Sequence, residues 1–139
     1  MPVTMKVRDV MDRNLVPIDS EATVDEAVRT MIQSKAWSLV VEKKGKSEGV
    51  VTERDIIRRC LAKGLPTGKT TVGSIASCPL VTIGPDAGLR EAMDTMVAKG
   101  IRRLFVVDKG KIVGRVTQTE AFQSALSVME ILSSLSSTL

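Results

Sequence analysis

Apolar and polar positions along this chain follow two alternating periods, and the whole alternation comes round twice. Leu15-Val16-Pro17-Ile18 is a short extended apolar piece. Behind it, Val24, Ala27, Val28, Met31 and Ile32 recur at helical spacing. They follow Thr23-Val24-Asp25-Glu26, a hydroxyl and a carboxylate three residues apart that together spell a capping box. Leu39 to Val41 then reads as a strand, Lys43-Lys44-Gly45-Lys46 as a hairpin turn, and Gly49-Val50-Val51 as the return strand. At Thr52 the period changes again. Ile56, Ile57, Cys60 and Leu61 predict a helix with Thr52 in the N-cap position and Asp55 at its third residue.

A displacement of 65 residues sets 7–55 on 72–120 without a gap, and 17 of those 49 pairs are identical, where ordinary composition gives roughly three. The second copy repeats every element. An opening helical turn (Val7 to Met11) recurs as Val72 to Ile75, and the extended piece recurs as Leu80-Val81-Thr82-Ile83. The helical face returns as Leu89, Ala92, Met93, Met96 and Val97, with Gly88 at the cap and Glu91 three later. The strand is Leu104 to Val107, the turn Asp108-Lys109-Gly110-Lys111, and the closing junction Gly114-Arg115-Val116-Thr117-Gln118-Thr119-Glu120. The chain therefore predicts an α+β (α/β) fold of two tandem β-α-β-β-α repeats, 7–64 and 72–129, joined by a linker at 65–71 and followed by a tail, 130–139. Two copies are too few for a solenoid and are expected to pack face to face. The last helix is expected to run from Thr117 through about Met129 to Leu132. The Ser-rich end, Ser133 to Leu139, is expected to fray, the alternative being an amphipathic continuation that docks a partner chain.

Composition narrows the function. With 139 residues, 43% of them hydrophobic, the chain can bury a core, and no apolar run approaches the length of a membrane span. The start, Met1-Pro2-Val3-Thr4-Met5-Lys6, has no apolar signal region, so a soluble, cytoplasmic protein without membrane partners is expected. There is no histidine, and Cys60 and Cys78 belong to no CxxC pair. That removes zinc sites of the usual composition and every histidine-based triad. Both cysteines read as reduced packing residues. Trp37, Phe105 and Phe122 are the only aromatics, which leaves no stacking platform for single-stranded nucleic acid. The net charge of +4 suits a phosphate-bearing ligand and is also ordinary for a soluble protein. A nucleic-acid-binding module is the alternative that the basic balance permits, although no long basic run supports it. No nucleophile–base pair, metal cluster or P-loop is visible, so neither an enzyme nor a catalytic cofactor is expected.

Three motifs, each weak alone, occur in order: Pro79-Leu80-Val81-Thr82-Ile83-Gly84-Pro85-Asp86-Ala87, Gly100-Ile101-Arg102-Arg103-Leu104-Phe105-Val106-Val107-Asp108 and Gly49-Val50-Val51-Thr52-Glu53-Arg54-Asp55. With their counterparts in the other copy they span Val7 to Met129. In this the chain resembles the cystathionine-β-synthase-domain, or CBS-domain, family. The resemblance implies that the repeats form one pseudo-two-fold module (a Bateman module) with two clefts between the copies. It implies adenosine ligands there: AMP, ADP, ATP or S-adenosylmethionine. It further implies a non-catalytic sensor that pairs into a homodimer and is read by an unidentified regulated protein.

The residues supply chemical reasons. A ribose presents two cis hydroxyls, which donate well to one carboxylate. A helix N-terminus adds free N–H groups and a positive dipole end for phosphate. Thr52 and Asp55 fit that role, and they equally fit a capping box with no ligand at all. By resemblance, the main cleft uses Val51, Thr52 and Asp55 with Leu80, Val81, Arg102, Arg103 and Thr119. A second cleft uses Val16, Pro17, Trp37 and Arg54 with Thr117 and Glu120. Glu120 is one methylene longer than Asp55 and would have to fold back to hold a ribose. Lys35-Ala36-Trp37-Ser38 stands where the other copy has Gly100-Ile101-Arg102-Arg103, leaving Arg54 and Lys35 for phosphate. The Asp55 cleft is therefore expected to bind more tightly, by about 1–3 kcal/mol. Plainer readings remain open. Arg102-Arg103 also reads as a solvated pair, Trp37 as a packing or dimer contact, and Met31, Met93 and Met96 as core or dimer seam.

Overall fold

The computed structural model describes residues 5–77 and 81–137. In chain order the elements are α1 (Val7–Val10), β1 (Pro17–Asp19), α2 (Val24–Ser34), β2 (Ser38–Lys43), β3 (Lys46–Thr52) and α3 (Glu53–Ile56), which runs on into a π-helical turn, Ile57–Leu61. Then come α4 (Val72–Ile75), β4 (Thr82–Ile83), α5 (Leu89–Lys99), β5 (Arg103–Asp108), β6 (Lys111–Thr117) and α6 (Gln118–Ser137). Each repeat thus carries the β-α-β-β-α order its periodicity predicts. Among the described residues no helix is long and apolar enough to cross a membrane.

The strands form two three-stranded sheets, β1-β2-β3 and β4-β5-β6. In the first, β1 lies parallel to β2 with Pro17 opposite Val40, and β2 lies antiparallel to β3 with Leu39 opposite Val51. The second repeats the parallel pairing, Thr82 opposite Phe105. Both hairpins turn on a Lys-Gly pair. Lys44 and Gly45 have φ of 51° and 77°, and Lys109 and Gly110 have 52° and 80°. Positive φ at both central residues makes the tight turn whose twist matches that of the flanking strands.

The chain divides into two compact units, and these do not follow the order of the repeats. One comprises Met1–Arg13, Val81–Asp108 and Val113–Leu139, the other Asn14–Leu80 with Lys109–Ile112. Each unit takes the opening turn of the other repeat. In the first, Val7 N donates to Ala87 O (2.8 Å), Arg8 N to Pro85 O (2.9 Å) and Leu89 N to Met5 O (2.8 Å). In the second, Val72 N donates to Ala22 O (2.8 Å), Gly73 N to Ser20 O (2.9 Å) and Val24 N to Thr70 O (2.9 Å). These sets are counterparts under the 65-residue displacement. The driving force is burial. Val7 enters a core with Ala92, Met96, Leu104, Val106 and Val116. Val72 and Ile75 enter one with Val24, Ala27, Met31, Leu39, Val41, Val51, Ile56 and Cys60. Cys60 is fully buried, as a packing residue should be, and Cys78 lies outside the described residues.

Two expectations need correcting. The Ser-rich end does not fray as far as it is described, because α6 stays helical to Ser137. Phe122, Leu126, Met129, Leu132 and Leu135 give that extension apolar side chains at helical spacing, all of them exposed. In addition, the helix after Thr52 is not one continuous α-helix. Ala62 N reaches Ile57 O (2.8 Å), the wider π-type closure. Ile56 and Cys60 face the core, while Ile57 and Leu61 are more than half exposed. The methionines divide likewise. Met31 and Met96 are buried, and Met93 is 45% exposed.

Candidate functional site

The junction at Thr52 is built by the sheet. Val51, fully buried and paired with Leu39, anchors the end of β3, and the next residue leaves the sheet as the N-cap of α3. Thr52 is extended (φ −116°, ψ 166°), which lets its side chain turn back over the first helical turn. Asp55 N donates to Thr52 Oγ1 (3.2 Å), and Asp55 Oδ2 accepts from Thr52 N (2.9 Å) and Thr52 Oγ1 (3.1 Å). The capping box is therefore real.

It is not the whole of the carboxylate's environment. Asp55 is 7% exposed, the only buried acid among the described residues. Ser77 Oγ donates to it across 3.0 Å to Oδ1 and 3.2 Å to Oδ2. Ser77 is fixed there by a backbone bridge to β3, with Ser77 N to Val50 O at 2.8 Å and Val50 N to Ser77 O at 3.3 Å. Arg59, one helical turn beyond Asp55, comes no closer to Oδ1 than 3.8 Å. Its guanidinium instead donates to Ile75 O (3.3 Å) and Ala76 O (3.0 Å), carbonyls at the end of α4. The buried charge is thus met mainly by hydroxyl and amide donors, with the cation held at its margin.

The second junction repeats the device with different partners. Glu120 Oε2 accepts from Thr117 N (3.0 Å) and from the Thr117 hydroxyl, so the longer acid does fold back on its cap. The counterpart of Ser77 is Asp12, bridged to Arg115 through both backbone groups (2.8 and 3.0 Å). Its carboxylate takes the Arg115 guanidinium at 3.0 Å and 3.2 Å. Arg115 in turn occupies the position that buried Val50 fills in the first repeat.

The residues singled out from the sequence divide between the two units. Val51, Thr52, Asp55, Val16, Pro17, Trp37 and Arg54 belong to one, and Val81, Arg102, Arg103, Thr117, Thr119 and Glu120 to the other. Leu80, like Pro79, lies outside the described residues. Val16 and Val81 hold equivalent places, half-buried against their own cores, with Val16 O accepting from Val40 N (2.9 Å) and Val81 O from Phe105 N (3.3 Å). Trp37 is 54% exposed, and its carbonyl accepts from Glu53 N (3.2 Å), which brings it beside the first junction. Pro17, Arg54, Arg102 and Arg103 are exposed. Thr119 is exposed too, and its N–H donates to Thr117 Oγ1 (3.2 Å). Sequence reasoning missed Ser77 and Arg59. Ser77 carried no local signal, since it lies far from Asp55 in the chain and its counterpart in the other copy is a carboxylate, Asp12.

Comparison with known proteins agrees with this architecture. The family model for the CBS domain matches twice, at residues 7–62 and 72–127. The chain is 34% identical over 110 residues to the CBS domain-containing protein YhcV of Bacillus subtilis, covering 79% of this chain and 78% of that protein. Among solved structures it resembles a conserved protein from Pyrococcus horikoshii, with 29% identity, a TM-score of 0.76 and coverage of 90% and 95% of the two chains. It also resembles a hexameric CBS-CP12 protein from bloom-forming cyanobacteria, with 27% identity, a TM-score of 0.72 and coverage of 87% and 68%. The chain belongs to the CBS domain family, as a tandem pair.

Proposed function

We propose that the chain is a non-catalytic cytoplasmic sensor whose regulatory ligand is an adenosine compound: AMP, ADP, ATP or S-adenosylmethionine. Asp55 and the Thr52 hydroxyl hold the ribose, and Leu80 and Val81 offer apolar surface to the base; Val51, expected to share in this, is instead fully buried and supports the junction from the core. Arg102 and Arg103, with Thr119, serve the phosphate. Thr117 and Glu120, with Val16, Pro17, Trp37 and Arg54, form a weaker second site. The observation that carries the reading is Asp55 itself. A buried carboxylate whose donors are mainly hydroxyl and amide groups is suited to exchange one of them for sugar hydroxyls. A carboxylate locked in a bidentate pair with arginine would not be.

The test is calorimetric titration and thermal unfolding of the full chain with each of the four compounds. A ligand at a hundred times its dissociation constant should add roughly 2.7 kcal/mol of stability, and Asp55→Ala should remove the effect. If none of the four binds, the proposal fails. Binding of an oligonucleotide that weakens steeply with salt and survives Asp55→Ala would favour a nucleic-acid module instead.

The module is also proposed to act as a homodimer that an unidentified regulated protein reads. The support lies in matching apolar exposure. Val28 and Met93, Ile32 and Val97, Ile57 and Phe122, and Leu61 and Leu126 are counterparts under the 65-residue displacement, and each is at least a third exposed. On the unit carrying α5 and α6, Met93, Val97, Phe122 and Met129 line a groove of about 890 Å³. Helix faces this apolar, repeated on both units, suit pairing with a second copy. The hexameric assembly of the cyanobacterial relative points the same way. Sedimentation of the full chain should give a dimer or a multiple of it.

A further inference from the structure

We propose that the Ser77 hydroxyl is a built-in competitor for the Asp55 carboxylate, so that it sets both the affinity and the sugar selectivity of the site. This rests on the reading of Asp55 as a ribose acceptor. The Ser77 oxygen stands 3.0 Å from Oδ1 and 3.2 Å from Oδ2, nearly equidistant from the two. It thus contacts both of the oxygens to which the two cis hydroxyls of a ribose would donate one bond each.

Counting acceptor sites makes the conflict explicit. A carboxylate offers about four lone-pair positions. Thr52 N and Thr52 Oγ1 both point at Oδ2, and Ser77 is shared between Oδ2 and Oδ1. A diol that donates one bond to each oxygen needs Ser77 to leave, and the Thr52 hydroxyl to turn from Oδ2 toward the sugar. Leaving is local. Both Ser77 backbone groups are tied to Val50, so the main chain stays and only the side-chain torsion has to change to another staggered well. The second junction has no such device, because Asp12, a carboxylate engaged with Arg115, replaces the hydroxyl.

The experiment is calorimetric titration of the wild type and Ser77→Ala with AMP and with 2′-deoxy-AMP. Ser77→Ala keeps the backbone bridge and deletes only the hydroxyl. AMP should bind the variant about tenfold more tightly, about 1.4 kcal/mol. 2′-Deoxy-AMP, with a single ring hydroxyl to seat, should gain less than AMP does. Discrimination between the two sugars therefore rises in the variant, which a merely structural role for Ser77 does not predict. Ser77→Thr retains the hydroxyl, so a similar tightening there would overturn the proposal. Equal or weaker AMP binding by Ser77→Ala, with wild-type binding still lost in Asp55→Ala, would overturn it and leave the ribose reading standing. Absence of binding in wild type and variant alike would remove the ribose reading and this inference together.

Discussion

The two junctions share a backbone and differ in how they treat an acid. Thr52 and Thr117 both cap a helix, and Asp55 and Glu120 both return a carboxylate to the cap N–H. In the first, the acid is buried and receives a hydroxyl from the exchanged α4 segment, with Arg59 at 3.8 Å. In the second, the exchanged α1 segment brings a carboxylate, Asp12, and Arg115 neutralises it. The comparison teaches that duplication preserves what the backbone requires while leaving the charge environment free to diverge. Capping needs an acceptor three residues on, and either acid provides one. The copies part in exposure and partners, since Asp55 is buried and Glu120 is half-exposed.

The largest effects should come where the copies agree. Leu39 and Leu104 are counterparts, and both are fully buried. Truncating either to alanine removes apolar contact and leaves a cavity, at a cost of about 2–5 kcal/mol. Urea denaturation of both variants should give losses of similar size. A loss in Leu104→Ala of less than half that in Leu39→Ala would show that the core around Val7 collapses more easily, and that the copies differ in packing as well as charge.

Next comes the difference between the acids. Asp55→Ala removes the buried acceptor of the Thr52 N–H and the Ser77 hydroxyl in a part-buried setting, which costs about 1–3 kcal/mol. Glu120→Ala removes two bonds from a half-exposed cap, where water can replace them, and should cost about 0.5–1.5 kcal/mol. The ordering is the prediction. Equal losses in denaturation would mean that Ser77 adds nothing to the first junction, which would break the comparison at its centre.

What the sequence made legible follows from the same distinction. Helix faces, strands, hairpin turns and caps are local, and each is fixed by periodicity or by residues within a few positions of one another. The β-α-β-β-α order and the capping boxes at Thr23 and Thr52 were therefore readable. The exchange of opening turns was not, because Val7 and Val72 are equally apolar in either unit and nothing in their neighbours says which core receives them. Ser77 escaped for the same reason, since it lies 22 residues from Asp55. The helical end at Ser133 to Ser137 was misjudged from its serines, although Ile131, Leu132 and Leu135 continue the helical spacing of α6. The π-helical turn after Asp55 had no sequence signal, since Ile56, Ile57, Cys60 and Leu61 suit an α-helix equally well.

The exchanged turns themselves permit a smaller test. Gly73 and Arg8 are counterparts, one bare and one bearing a long side chain. A Cβ on Gly73 would lie 2.9 Å from Ser20 O, a backbone atom. Gly73→Ala must therefore push α4 away from Ser20, at a cost of about 1–3 kcal/mol. Arg8→Ala breaks an exposed contact with Asp86 and should cost at most about 1 kcal/mol. Should thermal unfolding give the reverse order, the close approach of α4 to Ser20 would not be the constraint inferred here.

The smallest expected effect is also the most specific to the comparison. Asp12 and Arg115 replace Ser77 and Val50, and their side chains are 22% and 30% exposed, so water still screens the pair. Reverting both, Asp12→Ser with Arg115→Val, rebuilds the first junction's residues in the second. In a double-mutant cycle the pair should show a coupling of about 0.5–1 kcal/mol, because each single change removes one charge from beside its partner and the double change removes both. Arg115→Val should be the costlier single change, since it leaves the Asp12 carboxylate without its guanidinium. A coupling indistinguishable from zero would mean that the backbone bridge between Asp12 and Arg115 holds that segment by itself. The charge divergence between the copies would then carry no structural cost.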